Sequence, residues 1–402
     1  MTAIYLDNNA TTRIDPLVRD VMLPFLDQLY GNPSSIHSFG TPVRQALEQA
    51  RAQVARLIGA RHDSEIIFTS CATESNSTAL LSAVEAFPER RQIITTEVEH
   101  PAVLEVCAHL ERRGYSIHRL PVNRLGQLDL DHYTQLLSDQ VALVSIMWAN
   151  NETGTLFPVE QMAQLAKSHG ILFHTDAVQA VGKIPVQLAD SAIDLLSFSG
   201  HKLHGPKGVG VLYVRRGSRF RPLLRGGHQE RGLRGGTENA ASIVGLGMAC
   251  ELAAQQLVHE SNAIRALRDH LQRELLARIP NAQVTGDPAH RTPNTLNIAF
   301  EYVEGEAVLL HLDRLGIAAS SGSACTSGSL EPSHVMRAMG IPYTAAHGSI
   351  RFSLSRTTTA LEIASVIEQL PPIIAHLRAL SPYWTQNKAQ LARAGEFSPA
   401  YG

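Results

Sequence analysis

The sequence predicts an α/β fold: a mostly parallel central sheet, with a smaller α+β domain at its C-terminal end. Three observations carry this expectation. Short apolar runs that read as buried strands are followed, again and again, by a small polar loop and then a helical stretch, the pattern of a parallel sheet covered by helices on both faces. The later part of the chain changes to fewer, more widely spaced strands. At 402 residues, with 44% apolar and 18% charged residues, the chain is long enough for a large core and two domains.

Taken in order, Leu6-Asp7-Asn8-Asn9-Ala10-Thr11-Thr12 is dense in turn formers and reads as an ordered N-terminal arm. From Pro42 to Ile58 the apolar spacing is helical, and Gly59 ends it. Glu65 to Thr69 reads as a strand, Ser70 to Asn76 as a polar loop and Ser77 to Phe87 as a helix. Gln92 to Thr96, Val141 to Met147, Ile171 to Phe173, Ile193 to Phe198 and Gly208 to Val214 read as further strands. Gly226 to Asn239 is a Gly/Arg loop, either a mobile surface segment or a phosphate or subunit contact. Ala240 to Leu257 and Ser261 to Ile279 read as two helices, the second leading into the small domain. That domain has strands at Thr295 to Phe300 and Ser349 to Leu354 and a helix at Gly305 to Leu315. The expected domains are an arm at 1–15, a large domain at 16–258 and a small one at 259–402.

A net charge of −2 gives no basic excess for nucleic acid. Met1 to Asp7 shows neither the charged start nor the apolar core of a signal peptide, and no apolar run approaches the ~18–20 residues of a membrane span. Four widely spaced cysteines, with no C-x-x-C, indicate neither a zinc knuckle nor a disulfide framework. A cytoplasmic protein with reduced thiols is expected.

Ligands of parallel sheets bind outside the carboxyl ends of the strands. Thr73, His100, Asn151, Asp176, Gln179 and Lys202 each follow one of five predicted strand ends, so they should converge on one crevice. Singly they have plainer readings: Thr73 reads equally as a helix cap. A metal site at His201 and His204 is not expected, because no third ligand lies in sequence reach and Gly205-Pro206 breaks any helix. Lys202, at the end of Ser197-Phe198-Ser199-Gly200-His201-Lys202, is a candidate Schiff-base amine presented by a rigid strand end. Asp176 lies a crossover and a strand earlier, at a neighbouring strand end. A lysine imine to pyridoxal phosphate becomes an electron sink when a buried carboxylate holds a proton on the ring nitrogen. Gln179 can donate to the ring oxygen, His100 can stack on the ring or move a proton, and Thr73, Ser199 and His201 can hold the phosphate. Ala318 to Ser329 has no apolar periodicity and should be an exposed, flexible loop, an unusual place for Cys325 unless it is a reactive thiol.

The motifs Tyr5-Leu6-Asp7-Asn8-Asn9-Ala10-Thr11-Thr12, Ala72-Thr73-Glu74-Ser75, Val98-Glu99-His100, Asn150-Asn151-Glu152-Thr153-Gly154, His174 to Gln179, Ser199 to Lys202 and Ser323-Ala324-Cys325-Thr326-Ser327-Gly328, in that order, resemble those of cysteine desulfurases of the class V aminotransferase family, with the pyridoxal-phosphate fold type I (aspartate aminotransferase-like) architecture. Trp148, Phe157, His228-Gln229-Glu230-Arg231 and Tyr401-Gly402 are most similar to the nitrogen-fixation (NifS) type, with the housekeeping (IscS) type close by. The resemblance implies that Lys202 forms the Schiff base and Cys325 the persulfide, that His100 stacks on the ring, and that Asp176 and Gln179 hold its nitrogen and oxygen. It implies phosphate contacts from Ala72, Thr73, Ser199, Gly200 and His201, and from Thr237 across a homodimer. Asn151 would touch ring and substrate, and Arg351, with Arg356 as the other candidate, would clamp the substrate carboxylate. It further implies L-cysteine as substrate, L-alanine as product, a NifU-type iron–sulfur scaffold protein as sulfur acceptor, a role in nitrogenase maturation, and transient contact of Cys325 with a nascent [2Fe-2S] cluster. Cys71 stands where many relatives carry glycine and should be a small packed residue. A transaminase or β-eliminating lyase of the same fold would use Lys202 and Asp176 without needing Cys325.

Overall fold

The computed structural model describes residues 3–321, 332–381 and 384. Cys325, with the rest of 322–331, and Tyr401-Gly402 lie outside the described residues. Strand β1 (Ile4–Tyr5) belongs to the arm. Strands β2 (Ile66–Thr69), β3 (Gln92–Thr96), β4 (Ser116–Leu120), β5 (Val141–Ser145), β6 (Leu172–Asp176), β7 (Leu195–Ser199) and β8 (Gly210–Val214) form one sheet in the order β2-β8-β7-β6-β5-β3-β4. All its pairings are parallel except the two made by β8. Strands β2, β5, β6 and β7 are buried along their whole length, as strands covered on both faces must be. The expected Gln92 to Thr96 strand matches residue for residue, and the others shift by a few positions. β4 was not expected: Ser-Ile-His-Arg-Leu is a half-exposed strand on the sheet edge, with too few apolar residues to announce itself.

Two helical expectations change. The helix after β2 starts at Ala72, not Ser77. Its polar first turns look like a loop in sequence, but they face polar partners: Ser75 Oγ lies 2.8 Å from Thr69 Oγ1, and Glu74 pairs with Arg234 at 2.9 Å. The two helices after Thr237 are one, Ala240–Arg278, 39 residues long. No Gly or Pro interrupts His259-Glu260-Ser261, so the helix runs straight through. By length and composition it resembles a membrane span, yet half of its apolar window is buried in the fold. It lies so close to the Gly40–Leu57 helix that a Cβ on Gly247 would sit 2.6 Å from Ala50 Cα. The Gly/Arg loop is pinned rather than loose: Arg51 holds buried Glu230 through two 2.8 Å bonds.

Beyond that helix, β9 (Ala282–Val284), β10 (Thr295–Phe300), β12 (Ser320–Ser321) and β13 (Ser349–Ser353) form an antiparallel sheet in the order β12-β13-β10-β9, while β11 (Ile317–Ala318) pairs in parallel with β1. The helix Ala360–Leu380 covers this region. A separate apolar cluster joins Ile4 and Leu6 of the arm to Leu271, Phe300, Ile350, Phe352 and Ile374. The arm thus packs with the C-terminal elements, then continues across toward β6 and β7.

Candidate active site

One cavity of about 430 Å3 opens at the carboxyl ends of β2, β3, β5, β6 and β7. All six residues expected to converge line it: Thr73, His100, Asn151, Asp176, Gln179 and Lys202. Ala72, Ser199, His201 and Arg351 line it as well. Gly200 is buried behind the wall. Thr237 is exposed on the surface, away from its own chain's cavity. Arg356 is also elsewhere, bonded to Asp15 at 2.6 Å and facing Glu260 at 3.6 Å.

Lys202 follows β7 in a short 3-10 turn, and its Nζ donates to the carbonyls of Asn9 (2.6 Å) and Ala10 (2.7 Å). Asp176 ends β6, buried, and its carboxylate accepts from Asn76 Nδ2 at 2.6 Å and from the Val178 N–H at 3.0 Å. Asn76 Oδ1 is buried without a hydrogen-bond partner. His100 caps the Pro101–Arg112 helix, and its Nδ1 accepts from the Ala102 N–H at 3.1 Å. An acceptor Nδ1 carries no proton, so neutral His100 carries its proton on Nε2. Burial lowers its pKa, Asp176 pulls it back up and Lys202 lowers it further. Burial and the nearby lysines push His201 down to about 4, so it is a neutral donor and acceptor.

The Ala72–Ala86 helix begins at the cavity with Cys71 in the capping position, and Cys71 supplies no capping bond. Thr73 is therefore not the cap. It sits in the first helical turn, exposed. Cys71 is not packed away as expected but partly exposed on the cavity wall. A helix N-terminus left open in this way favours an anion. A Cβ on Gly210 would lie 2.5 Å from the Cys71 carbonyl carbon, so only glycine lets β8 approach this turn.

On the opposite wall Arg351, 4% exposed, donates to Asn151 O (3.0 Å) and Asp7 Oδ1 (2.8 Å), while its Nε is buried without a hydrogen-bond partner. Pro332, Ser333 and His334, immediately after 322–331, line the cavity. Ser320, just before that segment, pairs with Arg351. One flank of the segment that carries Cys325 thus lines the cavity, and the other is paired with the strand that carries Arg351. Ser333 Oγ donates to Glu152 Oε2 at 2.6 Å, and burial raises that carboxyl to about 7.

Sequence reasoning missed Asn76, Glu152, Ser333 and His334, and also Asn9, whose backbone and side chain meet Lys202, Gln179, Asn151, Thr295 and Asn294. Asn76 was legible in principle: it lies four residues after Ala72, on the same helix face. Nothing local marks Asn9. Its contacts come from far down the chain.

The donor set fits pyridoxal phosphate: an amine at a strand end, a buried carboxylate, an imidazole and an amide between them, and an open helix N-terminus with Thr73, Ser199 and His201 beside it. Fold and site together define a pyridoxal-phosphate enzyme of fold type I. The family model for class-V aminotransferases matches residues 4–366. The chain is 65% identical over 402 residues, all of both chains, to cysteine desulfurase NifS of Azotobacter vinelandii, and 64% identical over the full length of a cysteine desulfurase of Enterobacter agglomerans. Among solved structures a NifS-like protein matches with TM-score 0.88 and 40% identity, covering 94% of this chain and 100% of that one. SspA in complex with cysteine matches with TM-score 0.78 and 34% identity, over 89% and 100%. The chain belongs to the class-V aminotransferase family, in its cysteine desulfurase group.

Proposed function

We propose that this protein is a pyridoxal-phosphate-dependent cysteine desulfurase that takes sulfur from L-cysteine, leaves L-alanine, and carries the sulfur as a persulfide on Cys325. The observation that carries the reading is the meeting, on one cavity, of Lys202, Asp176 and Arg351 with Pro332, Ser333 and His334, which directly follow the segment that bears Cys325. The bound cofactor supplies an electron sink that makes the bond between the substrate's β-carbon and its sulfur cleavable.

The chain's own residues divide the remaining work. Lys202 would hold the cofactor covalently, and its amine would be the base for the substrate α-proton. Asp176, fixed by Asn76 and Val178, keeps a proton on the ring nitrogen by charge pairing. Gln179 would donate to the ring oxygen, Ala72, Thr73, Ser199, Gly200 and His201 would hold the phosphate, and His100 would stack on the ring. With Nδ1 committed to the helix cap, it serves the substrate through Nε2–H, as a donor rather than as the first proton acceptor. Asn151 and Arg351, both on the cavity wall, would seat the substrate, with the Arg351 guanidinium as the cation for its carboxylate. Cys325, as thiolate, attacks the substrate sulfur: a sulfur–sulfur bond forms, the carbon–sulfur bond breaks, and its electron pair passes to the carbon skeleton, which is protonated to alanine.

The division into arm (1–15), large domain (16–258) and small domain (259–402) is supported by the separate apolar cluster that joins the arm to the C-terminal elements, although the 258/259 boundary falls inside one helix. Thr237, exposed and away from its own cavity, suits a phosphate contact in the second subunit of a homodimer. The setting we infer is the cytoplasm. There the persulfide passes to a NifU-type iron–sulfur scaffold for nitrogenase maturation, with Cys325 meeting a nascent [2Fe-2S] cluster as cargo. The test is Cys325→Ala with L-cysteine: alanine and sulfide formation should disappear while cofactor stays bound. Undiminished alanine production would contradict the reading, and sulfide appearing with pyruvate in place of alanine would favour a β-eliminating lyase that needs only Lys202 and Asp176.

A further inference from the structure

A second lysine stands behind the cavity, and nothing above uses it. Lys183 follows the Asp176 to Gln179 turn, and its Nζ donates to Asn9 Oδ1 at 3.2 Å and to Gln179 Oε1. Gln179 in turn donates from Nε2 to Asn9 O at 3.0 Å, the carbonyl that also accepts from Lys202 Nζ at 2.6 Å. An ammonium or amine donates and a carbonyl accepts. The Gln179 amide therefore has one consistent orientation, oxygen toward Lys183 and nitrogen toward Asn9 and the cavity.

We propose that Lys183 is a positioning residue that locks the Gln179 amide with its N–H edge toward the cofactor, so that Gln179 donates to the ring oxygen and cannot turn its own oxygen there. This rests on the cofactor reading above. The alternative orientation would set an acceptor against an anionic oxygen, which is repulsive. Asn9 completes the lock, because it takes all three donors: Lys183 and Gln179 directly, and Lys202 at the same carbonyl. The charged groups that act on Lys183 are Lys202 and Arg351, and Lys183 acts on His201 and His204. Burial and those two cations hold its amine well below the usual lysine range. A donor aimed at the ring oxygen draws charge from it and lowers the proton affinity of the imine beside it. Any residual charge on Lys183 acts in the same direction.

The experiment is a spectroscopic pH titration of the visible band of purified holoenzyme, in wild type, Lys183→Met, Lys183→Arg, Gln179→Leu and the Lys183→Met/Gln179→Leu double variant. Lys183→Ala, which leaves room for water, is the parallel variant if the methionine does not pack. The midpoint should rise by about one pH unit, a tenfold gain in proton affinity, in Lys183→Met. It should stay near wild type in Lys183→Arg, which keeps a donor, and the double variant should shift no further than Gln179→Leu alone. An unmoved midpoint in both Lys183→Met and Lys183→Ala, or fully additive shifts, would overturn the proposal. Absence of any visible band after cofactor addition would overturn the cofactor reading instead.

Discussion

Arg351 and Arg356 lie close in sequence, and either could receive the substrate carboxylate. We propose that Arg351 does. Arg351 lines the cavity with two of its nitrogens committed, to Asn151 O and Asp7, and with Nε buried and unpartnered. Arg356 is spent on Asp15 and Glu260, outside the cavity. On that proposal, replacing Arg351 by Gln removes a charged donor from the substrate carboxylate. A hydrogen bond to a charged group contributes roughly 1.5–3 kcal/mol, which corresponds to about a ten- to hundredfold loss in kcat/KM. Because the carboxylate is bound alike in ground and transition states, the loss should fall mainly on KM. Arg356→Gln should leave kcat/KM within about threefold and lower the melting temperature, since Asp15 loses its partner. The assay is alanine formation across a range of L-cysteine concentrations, with cofactor loading and melting temperature measured for both variants. A normal KM in Arg351→Gln together with a raised KM in Arg356→Gln would refute the assignment.

Three further outcomes are expected. Asp176→Asn keeps the shape but not the charge proposed to hold the ring-nitrogen proton, so kcat should fall by about a hundredfold or more; turnover near wild type would sink that role. Glu99 is fully buried, with Oε2 unpartnered, and burial lifts its carboxyl from 4.5 to about 8. A raised folded pKa means the native state holds the proton longer, so this group costs stability progressively as pH rises from about 4.5 to about 8. Glu99→Gln should therefore gain melting temperature over wild type as pH increases across that window, and a constant difference would contradict the sign. Gly154 has φ +79° and a Cβ there would meet Thr295 Cβ at 2.9 Å; Gly154→Ala should lose about 1–3 kcal/mol in denaturant unfolding, and an unchanged midpoint would show that the turn relaxes.

The parallel-sheet architecture was legible because buried strands such as Val141 to Ser145 and Gln92 to Thr96 are apolar and bounded by polar loops. So was the convergence of Thr73, His100, Asn151, Asp176, Gln179 and Lys202, which follows from strand ends alone. What was not legible depends on partners distant in sequence. Asn9 looks like a turn residue until the arm is laid against β6 and β10. Thr73-Glu74-Ser75-Asn76 reads as a loop until Thr69, Arg234 and Asp176 satisfy its polar side chains inside a helix. His174, in the same motif as Asp176, turns out to belong to the sheet interior: it sits between Ser145 and Ser197, and burial drives its pKa down to about 3. The capping box Thr359–Glu362 was available as a helix start, but Pro371 and Pro372 inside the Ala360–Leu380 helix obscure its length.

The central claim is that sulfur passes from the substrate to Cys325. The direct measurement is mass spectrometry of the Cys325 peptide after holoenzyme has turned over L-cysteine once, without reductant, and been alkylated. The account predicts a peptide heavier by one sulfur atom, formed in step with alanine and absent from Lys202→Ala. Alanine appearing at full rate while the Cys325 peptide keeps its unmodified mass would contradict it.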